Sequence, residues 1–499
     1  MRKFKFRFKI SKQGLEKQTG SLLMNLLRGA LVAVVLWFIF GSMDWYDPWI
    51  SLQPETTVLG PRTEFVLEAG DKDSGLRDIK VTVTQSGQEK EVMARAFPSP
   101  GFLGAKGSRS TKVEIPLMVD AAALGLQEGK ATLAVTAHDH SWRNLFHGRL
   151  ATLTREVDVN LTPLQLTFLS VNNLLHHGGT GLILYKLNKP AKESGVMAGG
   201  HFYAGYPNPK GAGDEYQVFF PVPRESSGPD QVELVARPPV GEEARLSVPL
   251  KVKPRKWRQD RLNLSEGFLR RVAADFPGGN PADPLSAFLT VNRDLRRANH
   301  EQVRQVCAHS QPKPLWAGAF QRYLGKPMAR FGDKRTYYYQ NRQVDQEVHL
   351  GEDLASLEHS PVPAANNGEV VLAEPLGIYG QTVILDHGLG VFSMYGHLSE
   401  IGVKSGERVG KGAILGRTGT TGLAVGDHLH FSMIVQGEFV DPLEWWDPQW
   451  LKDQVEGQWA KAGAAGGEAV KAAAAPKAAK GKDKKTKRQA KPKKAKRQG

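Results

Sequence analysis

Between residues 50 and 255 apolar and polar side chains alternate in short runs, as in Thr63-Glu-Phe-Val-Leu67, Ile79-Lys-Val-Thr-Val-Thr84, Lys112-Val-Glu-Ile-Pro-Leu117 and Glu156-Val-Asp-Val-Asn-Leu161. The pattern continues in Gln165-Leu-Thr-Phe168, Gln217-Val-Phe-Phe-Pro-Val222, Gln231-Val-Glu-Leu-Val-Ala236 and Ala244-Arg-Leu-Ser-Val248. A period of two puts alternate side chains on opposite faces of a strand, and regularly spaced Gly, Pro and Asp turns fold such strands into sandwiches or barrels. The expectation is one or two β-sandwich modules, residues 50–161 and 162–255, parting near Pro163. Between Asn263 and Gln311 the period becomes helical. Asp283-Pro-Leu-Ser-Ala-Phe-Leu places an N-cap and a first-turn proline ahead of apolar residues at helical spacing. Residues 260–315 are thus expected to be a helical linker that packs on a sheet or covers a cleft. Strand-like runs return in residues 316–450, notably Thr382-Val-Ile-Leu385 and Val391-Phe-Ser-Met-Tyr395, so the chain reads as mainly β.

The two ends differ from this body. Leu22 to Phe40 is apolar apart from Asn25 and Arg28, and seven Lys/Arg precede it while Asp44 and Asp47 follow. Such a run suits a membrane-spanning helix or an export signal. Gly-Ser-Met-Asp after it lacks a small-x-small cleavage site, which favours an uncleaved transmembrane signal-anchor at 22–41 behind a cytoplasmic basic segment at 1–21. The positive-inside rule then places the remainder outside the cytoplasm, as a single-pass protein of a cell inner membrane whose later domains face the periplasm or extracellular side. The net charge of +15 belongs to the ends: residues 1–20 carry +6, residues 461–499 carry +12, and everything between carries −3. Residues 458–499, rich in Ala, Gly and Lys, have almost no apolar bulk and are expected to be a disordered tail. Outside the cytoplasm its available polyanions are anionic polymers or lipid head groups, and no specific nucleic acid is expected. The single cysteine, Cys307, excludes an intrachain disulfide framework.

Chemistry concentrates between His349 and His430. The pieces are His349-Leu-Gly-Glu-Asp353, His397 in Met-Tyr-Gly-His-Leu, and His428-Leu-His430. A catalytic zinc takes three nitrogen or oxygen ligands and keeps a position for water, and His349, Asp353 and His430 supply that set. His428 and His430 lie in an alternating run, so both project from one face; one can bind metal while the other stands nearby. His397 follows two strand-like runs and can bring a further imidazole to the same mouth.

These motifs, with Pro363-Ala364-x-x-x-Gly368-x-Val370, Val403-x-x-Gly406, Gly416-x-Thr418-Gly419 and His428-x-His430-Phe, resemble the catalytic domain of lysostaphin/LytM-type zinc endopeptidases, which cut peptide bonds in bacterial peptidoglycan. The resemblance runs from about Phe331 to Trp446. It implies an antiparallel β peptidase domain with His349, Asp353 and His430 as zinc ligands, and His397 and His428 as catalytic histidines. In that family His428 would be the general base and His397 would steady the intermediate. A tyrosine upstream of the first ligand often assists, and Tyr337, Tyr338 and Tyr339 all stand in that position. Relatives without the ligands act as non-enzymatic scaffolds or activators of other wall hydrolases, whereas every position is filled here. Separately, Asp73-Ser-Gly-Leu-Arg-Asp-Ile-Lys-Val is similar to the opening of bacterial immunoglobulin-like domains.

The remaining histidines read as structural. His138 and His140 end a strand as a surface pair, His176 and His177 precede Gly178-Gly179 in a turn, and His387 precedes Gly388 in a hairpin with at most a supporting role.

Overall fold

The computed structural model describes residues 24–35, 46–98, 111–141, 147–172, 174–225, 232–239, 241–276, 282–464 and 470–471. The chain divides into two compact units, residues 1–163 with 237–242, and residues 164–236 with 243–499. In the first unit a three-stranded antiparallel sheet (Trp49–Gln53, Arg62–Gly70, Lys112–Asp120) and a five-stranded sheet (Val58–Leu59, Leu150–Val159, Gly129–Asp139, Leu76–Gln85, Gln88–Ala96) enclose one apolar core. The alternation seen in the sequence does this work: Thr63, Phe65 and Leu67 are buried while Arg62, Glu64 and Val66 are exposed. Among the described residues no helix is long and apolar enough to cross a membrane. Residues 24–35 of the expected signal-anchor are helical with exposed apolar side chains. The rest of the 22–41 stretch and the basic residues 1–21 lie outside the described residues.

The second unit begins with two further sheets, one built on Leu166–Val171, Thr180–Leu187, Glu215–Pro221 and Tyr206–Pro207, the other on His201–Ala204, Glu193–Ala198, Val232–Arg237 and Ala244–Val248. The further elements that frame the candidate site are β1 (Gln259–Asn263), α1 (Glu266–Asp275), α2 (Pro284–Thr290), α3 (Arg296–Val306), β2 (Lys326–Ala329), β3 (Lys334–Tyr339), β4 (Arg342–Val348), β5 (Glu352–Ala355), β6 (Gly368–Pro375), β7 (Gln381–Asp386), β8 (Val391–Leu398), β9 (Arg408–Val409), β10 (Leu429–Val435) and β11 (Glu438–Val440). The main sheet runs β2-β5-β10-β8-β7-β6-β9 with β11 beside β10, and β1-β3-β4 form a smaller sheet.

Every residue of β8 and β10 is buried. Their alternate side chains enter two different cores: Val391, Tyr395, Phe431, Met433 and Val435 face one, Phe392, Met394 and Ile434 the other. The second core is closed by Leu269, Val272, Phe288 and Val303 of the helical stretch. The segment expected as a linker is therefore a covering layer. It opens with a strand, β1, paired parallel to β3. Ser265 Oγ caps α1 by accepting from the Phe268 N–H, and Asp283 caps α2 with Pro284 behind it.

Two further expectations change. Leu182, Leu184 and Phe219 of the 164–236 module pack in the same core as Trp316, Phe320, Trp445, Trp450 and Trp459. The 162–255 stretch is thus fused to the peptidase region through apolar contact instead of standing as a free module. The tail starts later than residue 458: Gly457–Ala464 is helical, Trp459 is buried, and its indole N–H donates to Gln217 Oε1. Val470–Lys471 pair with Leu166–Val171. One indole supplies the burial that the Ala/Gly-rich composition does not suggest.

Candidate metal centre and active site

Strand register brings the three expected ligands together. Asp353 in β5 lies directly opposite His430 in β10, and Gly396 in β8 flanks His430 on its other side. His349 follows β4 at a turn pinned by its own N–H to Asp333 O and by the Gly332 N–H to its carbonyl. Gly351 leaves room for this approach, since a Cβ there would stand 2.7 Å from His430 Cε1 and 2.6 Å from Phe431 O. His349 Nε2 lies 2.9 Å from Asp353 Oδ1 and 3.1 Å from His430 Nδ1, and His430 Nδ1 lies 2.8 Å from the same oxygen. Among the described residues this is the one His/Cys/Asp/Glu group compact enough to hold a metal ion.

The far side of each ring fixes its tautomer. His349 Nδ1–H donates to Arg330 O at 3.0 Å, leaving Nε2 bare. Ser432 Oγ–H donates to Leu350 O, so the hydroxyl oxygen receives His430 Nε2–H at 3.0 Å and leaves Nδ1 bare. Three lone-pair atoms thus face one another in a buried site with no proton between them, which is repulsive without a shared cation. Two nitrogens and a carboxylate oxygen with outer hydrogen bonds that fix their direction match zinc's donor preference. Burial pulls His430 down to about 4 and also lowers His349. Burial works against the Asp353 carboxylate, but His349, His428 and His430 together hold it well below the usual range. Its second oxygen accepts from Arg335 Nη2 at 2.7 Å.

Two imidazoles stand beside this group. His428 Nδ1–H donates to Gly426 O, and its Nε2 is 3.5 Å from Asp353 Oδ1. Burial lowers its pKa, but the Asp353 carboxylate more than compensates and the net shift is upward. His397 Nδ1–H donates to Thr421 O, and its ring lies 4.9 Å from that of His428 and 5.7 Å from that of His430. Burial, then the neighbouring imidazoles, hold His397 well below 6.5. His397 has φ +61°, a left-handed conformation that costs a non-glycine residue of order 1 kcal/mol or more and is kept only where the surroundings impose it. The site opens into a cleft of about 580 Å³. Leu262, Phe268 and Phe288 line it, together with the exposed Met328 and Val425.

The other candidates fall elsewhere. Tyr337 is buried edge-on against Phe288 at the cleft wall, Tyr338 lies under Arg261, and Tyr339 donates to Glu266, so none bonds to the four imidazoles. The aromatic ring beside His430 is Tyr379, 5.4 Å away, with its hydroxyl 3.1 Å from His300 Nε2 on α3. His387 stands in the expected hairpin between β7 and β8 but is fully buried, with Nδ1–H donating to Asn367 O and Nε2 facing Ser393 Oγ. His138 pairs with Asp78, and His177 donates to Pro223 O. Arg335, Ser432 and Tyr379 carry no motif, and only the strand register reveals them.

Residues 347–442 match the model of peptidase family M23. Among curated proteins the chain is 34% identical over 129 residues to the peptidoglycan DD-endopeptidase ShyA of Vibrio cholerae, covering 25% of this chain and 30% of that protein. It is 34% identical over 96 residues to the DD-carboxypeptidase/endopeptidase Mpg of Neisseria meningitidis, covering 19% and 22%. The chain thus spans less than a third of these relatives. Among solved structures, a putative M23 peptidase from Pseudomonas aeruginosa aligns with 55% of this chain and 96% of its own at 23% identity and TM-score 0.35. The catalytic domain of lysostaphin from Staphylococcus simulans aligns with 24% of this chain and 90% of its own at 28% identity and TM-score 0.21. The C-terminal region of this chain is a peptidase family M23 domain of the lysostaphin/LytM type.

Proposed function

We propose that this chain is a zinc-dependent endopeptidase that hydrolyses peptide crosslinks or stem peptides of bacterial peptidoglycan. The observation that carries the reading is the convergence of three bare donor atoms, His349 Nε2, Asp353 Oδ1 and His430 Nδ1, beside two more imidazoles in an open cleft. ShyA and Mpg, named for peptidoglycan or peptide hydrolysis, support the substrate class. Zinc held by these residues supplies a water acidified toward neutrality and a polarised scissile carbonyl. His428 receives a proton at Nε2 and holds it against the Asp353 carboxylate, then returns it to the leaving amine. His397, with its Nδ1–H committed to Thr421 O, presents a bare Nε2 to the same space and accepts a hydrogen bond from the attacking water, which it orients. Arg335 neutralises the outer oxygen of Asp353 and fixes its orientation.

Around this core we infer a signal-anchor at 22–41, with the catalytic domain on the periplasmic or extracellular side of an inner membrane. The immunoglobulin-like character of the module at 50–161, its role as a spacer and polyanion binding by the Lys-rich tail belong to the same reading. Support comes from the charge flanks and strand pattern of the sequence. Purified sacculi digested with the full chain should release muropeptides whose masses identify the cut bond, and both chelator and His430→Ala should abolish release. Undiminished release in either case overturns the assignment.

A further inference from the structure

A second pocket, of about 450 Å³, lies where the 164–236 module meets β1 and β3. Its walls carry the cations Arg224, Arg255, Lys256 and Lys334 against one acid, Glu225. Glu225 pairs with both Lys334, at 2.6 Å, and Arg224, at 3.2 Å. Arg255 pairs with the buried Asp441, and Lys256 is exposed with no ion pair among the described residues. The pocket therefore keeps a surplus of positive charge after its internal pairs are counted. The two guanidiniums are also held in place: those of Arg224 and Arg255 lie over the Trp257 ring at 5.7 and 4.9 Å. That ring is itself fitted against Gly178 and Gly332, where a Cβ on Gly178 would come within 2.8 Å. Guanidiniums stacked on an aromatic face lose less freedom when they bind a planar anion.

The pocket and the catalytic cleft share a ribbon. Gln259 lines the pocket and Asp260 the cleft; their partners across the pairing of β1 with β3, Lys334 and Arg335, divide the same way. The two openings thus lie on opposite faces of the ribbon. β1 is the outer strand of its sheet, so a ligand passes from one face to the other around that edge without crossing a further strand. The path around that edge is longer than the ribbon is thick and takes several extended residues at ~3.3 Å each. Stem peptides are extended and carry free carboxylates.

We propose that this pocket is a second substrate subsite, in which Arg224, Arg255, Lys256 and Lys334 bind a free carboxylate of a peptidoglycan stem peptide engaged in the catalytic cleft. The proposal rests on the hydrolase reading and names the part of the substrate that the cleft does not hold. It is tested by calorimetric titration of the full chain with a disaccharide-tetrapeptide, either with free carboxylates or with those carboxylates amidated. The free form should bind about tenfold more tightly, the effect of one charge-assisted contact. Lys256→Glu and Arg224→Gln should each reduce that preference to below about twofold, whereas Lys404→Glu, at an exposed lysine outside the pocket, should preserve it. Lys256 is exposed and Arg224 half-buried, and neither belongs to the apolar core, so folding should be retained, as circular dichroism would report. Equal binding of the two forms, a preference retained in both pocket variants, or inorganic phosphate binding as tightly as the free peptide would overturn the subsite. A chain that shows the preference but cleaves no crosslink sinks the hydrolase reading alone; one that cleaves crosslinks but binds both forms equally sinks the subsite alone.

Discussion

Ser432 illustrates how one small side chain orients a residue of the candidate metal centre. Its hydroxyl is committed to Leu350 O, so it accepts the His430 Nε2 proton and turns Nδ1 toward Asp353. Ser432→Ala removes that orientation and should weaken zinc binding by about 10–100-fold, as measured by competition with a chromogenic chelator. An affinity unchanged within twofold would show that the tautomer is fixed by something else. His428→Ala and His397→Ala remove no proposed ligand atom. Each should lower kcat by about 10²–10⁴-fold while the protein retains one zinc per chain by elemental analysis. A variant that loses both metal and activity would instead mark that histidine as a ligand. The cluster of His349, Asp353 and His430 was legible in the sequence because zinc demands few residue types and a strand fixes the i, i+2 relation. Arg335 and Tyr379 were not, because nothing in Tyr-Tyr-Tyr or Gly-Ile-Tyr-Gly indicates which ring or cation register brings beside His430.

At the scale of elements, the sequence distinguishes helix from strand better than linker from layer. Asp283-Pro284 marked the start of α2 correctly, since capping and a first-turn proline are local effects. What α1 to α3 cover depends on β8 and β10 being apolar on both faces, and a run such as Val-Phe-Ser-Met-Tyr gives no indication of the partner on each side. Phe288 is the test. It is fully buried, edge-on to Phe268 and Tyr337, and borders the cleft. Phe288→Ala should cost about 3–5 kcal/mol in denaturant unfolding if the helical layer belongs to the core. A cost below about 1 kcal/mol is what a loosely laid cover would give.

At the scale of the whole molecule, the weld between module and peptidase contains an acid whose ionisation opposes folding. Glu444 Oε2 accepts the Thr180 N–H at 2.7 Å from across the junction, and burial, then Asp441, raises its pKa from 4.5 to about 8. A raised carboxyl pKa means that the folded state holds a proton the unfolded chain releases, so this contribution is complete below pH 4.5 and is lost as pH climbs toward 8. Glu444→Gln keeps the acceptor and removes the titration. Its thermal stability should exceed that of the parent at pH 8.5 and match it at pH 4.5, as read by calorimetric unfolding at the two values. A gain of equal size at both would assign the effect to packing.

The indoles of Trp316, Trp445, Trp450 and Trp459 share one cluster with Leu182 and Phe219, and Trp445 also donates to Thr180 Oγ1. A core shared in this way makes the 164–236 module and the peptidase region one folding unit, so a truncation that begins after residue 236 would leave Trp316, Trp445 and Trp459 without their apolar partners.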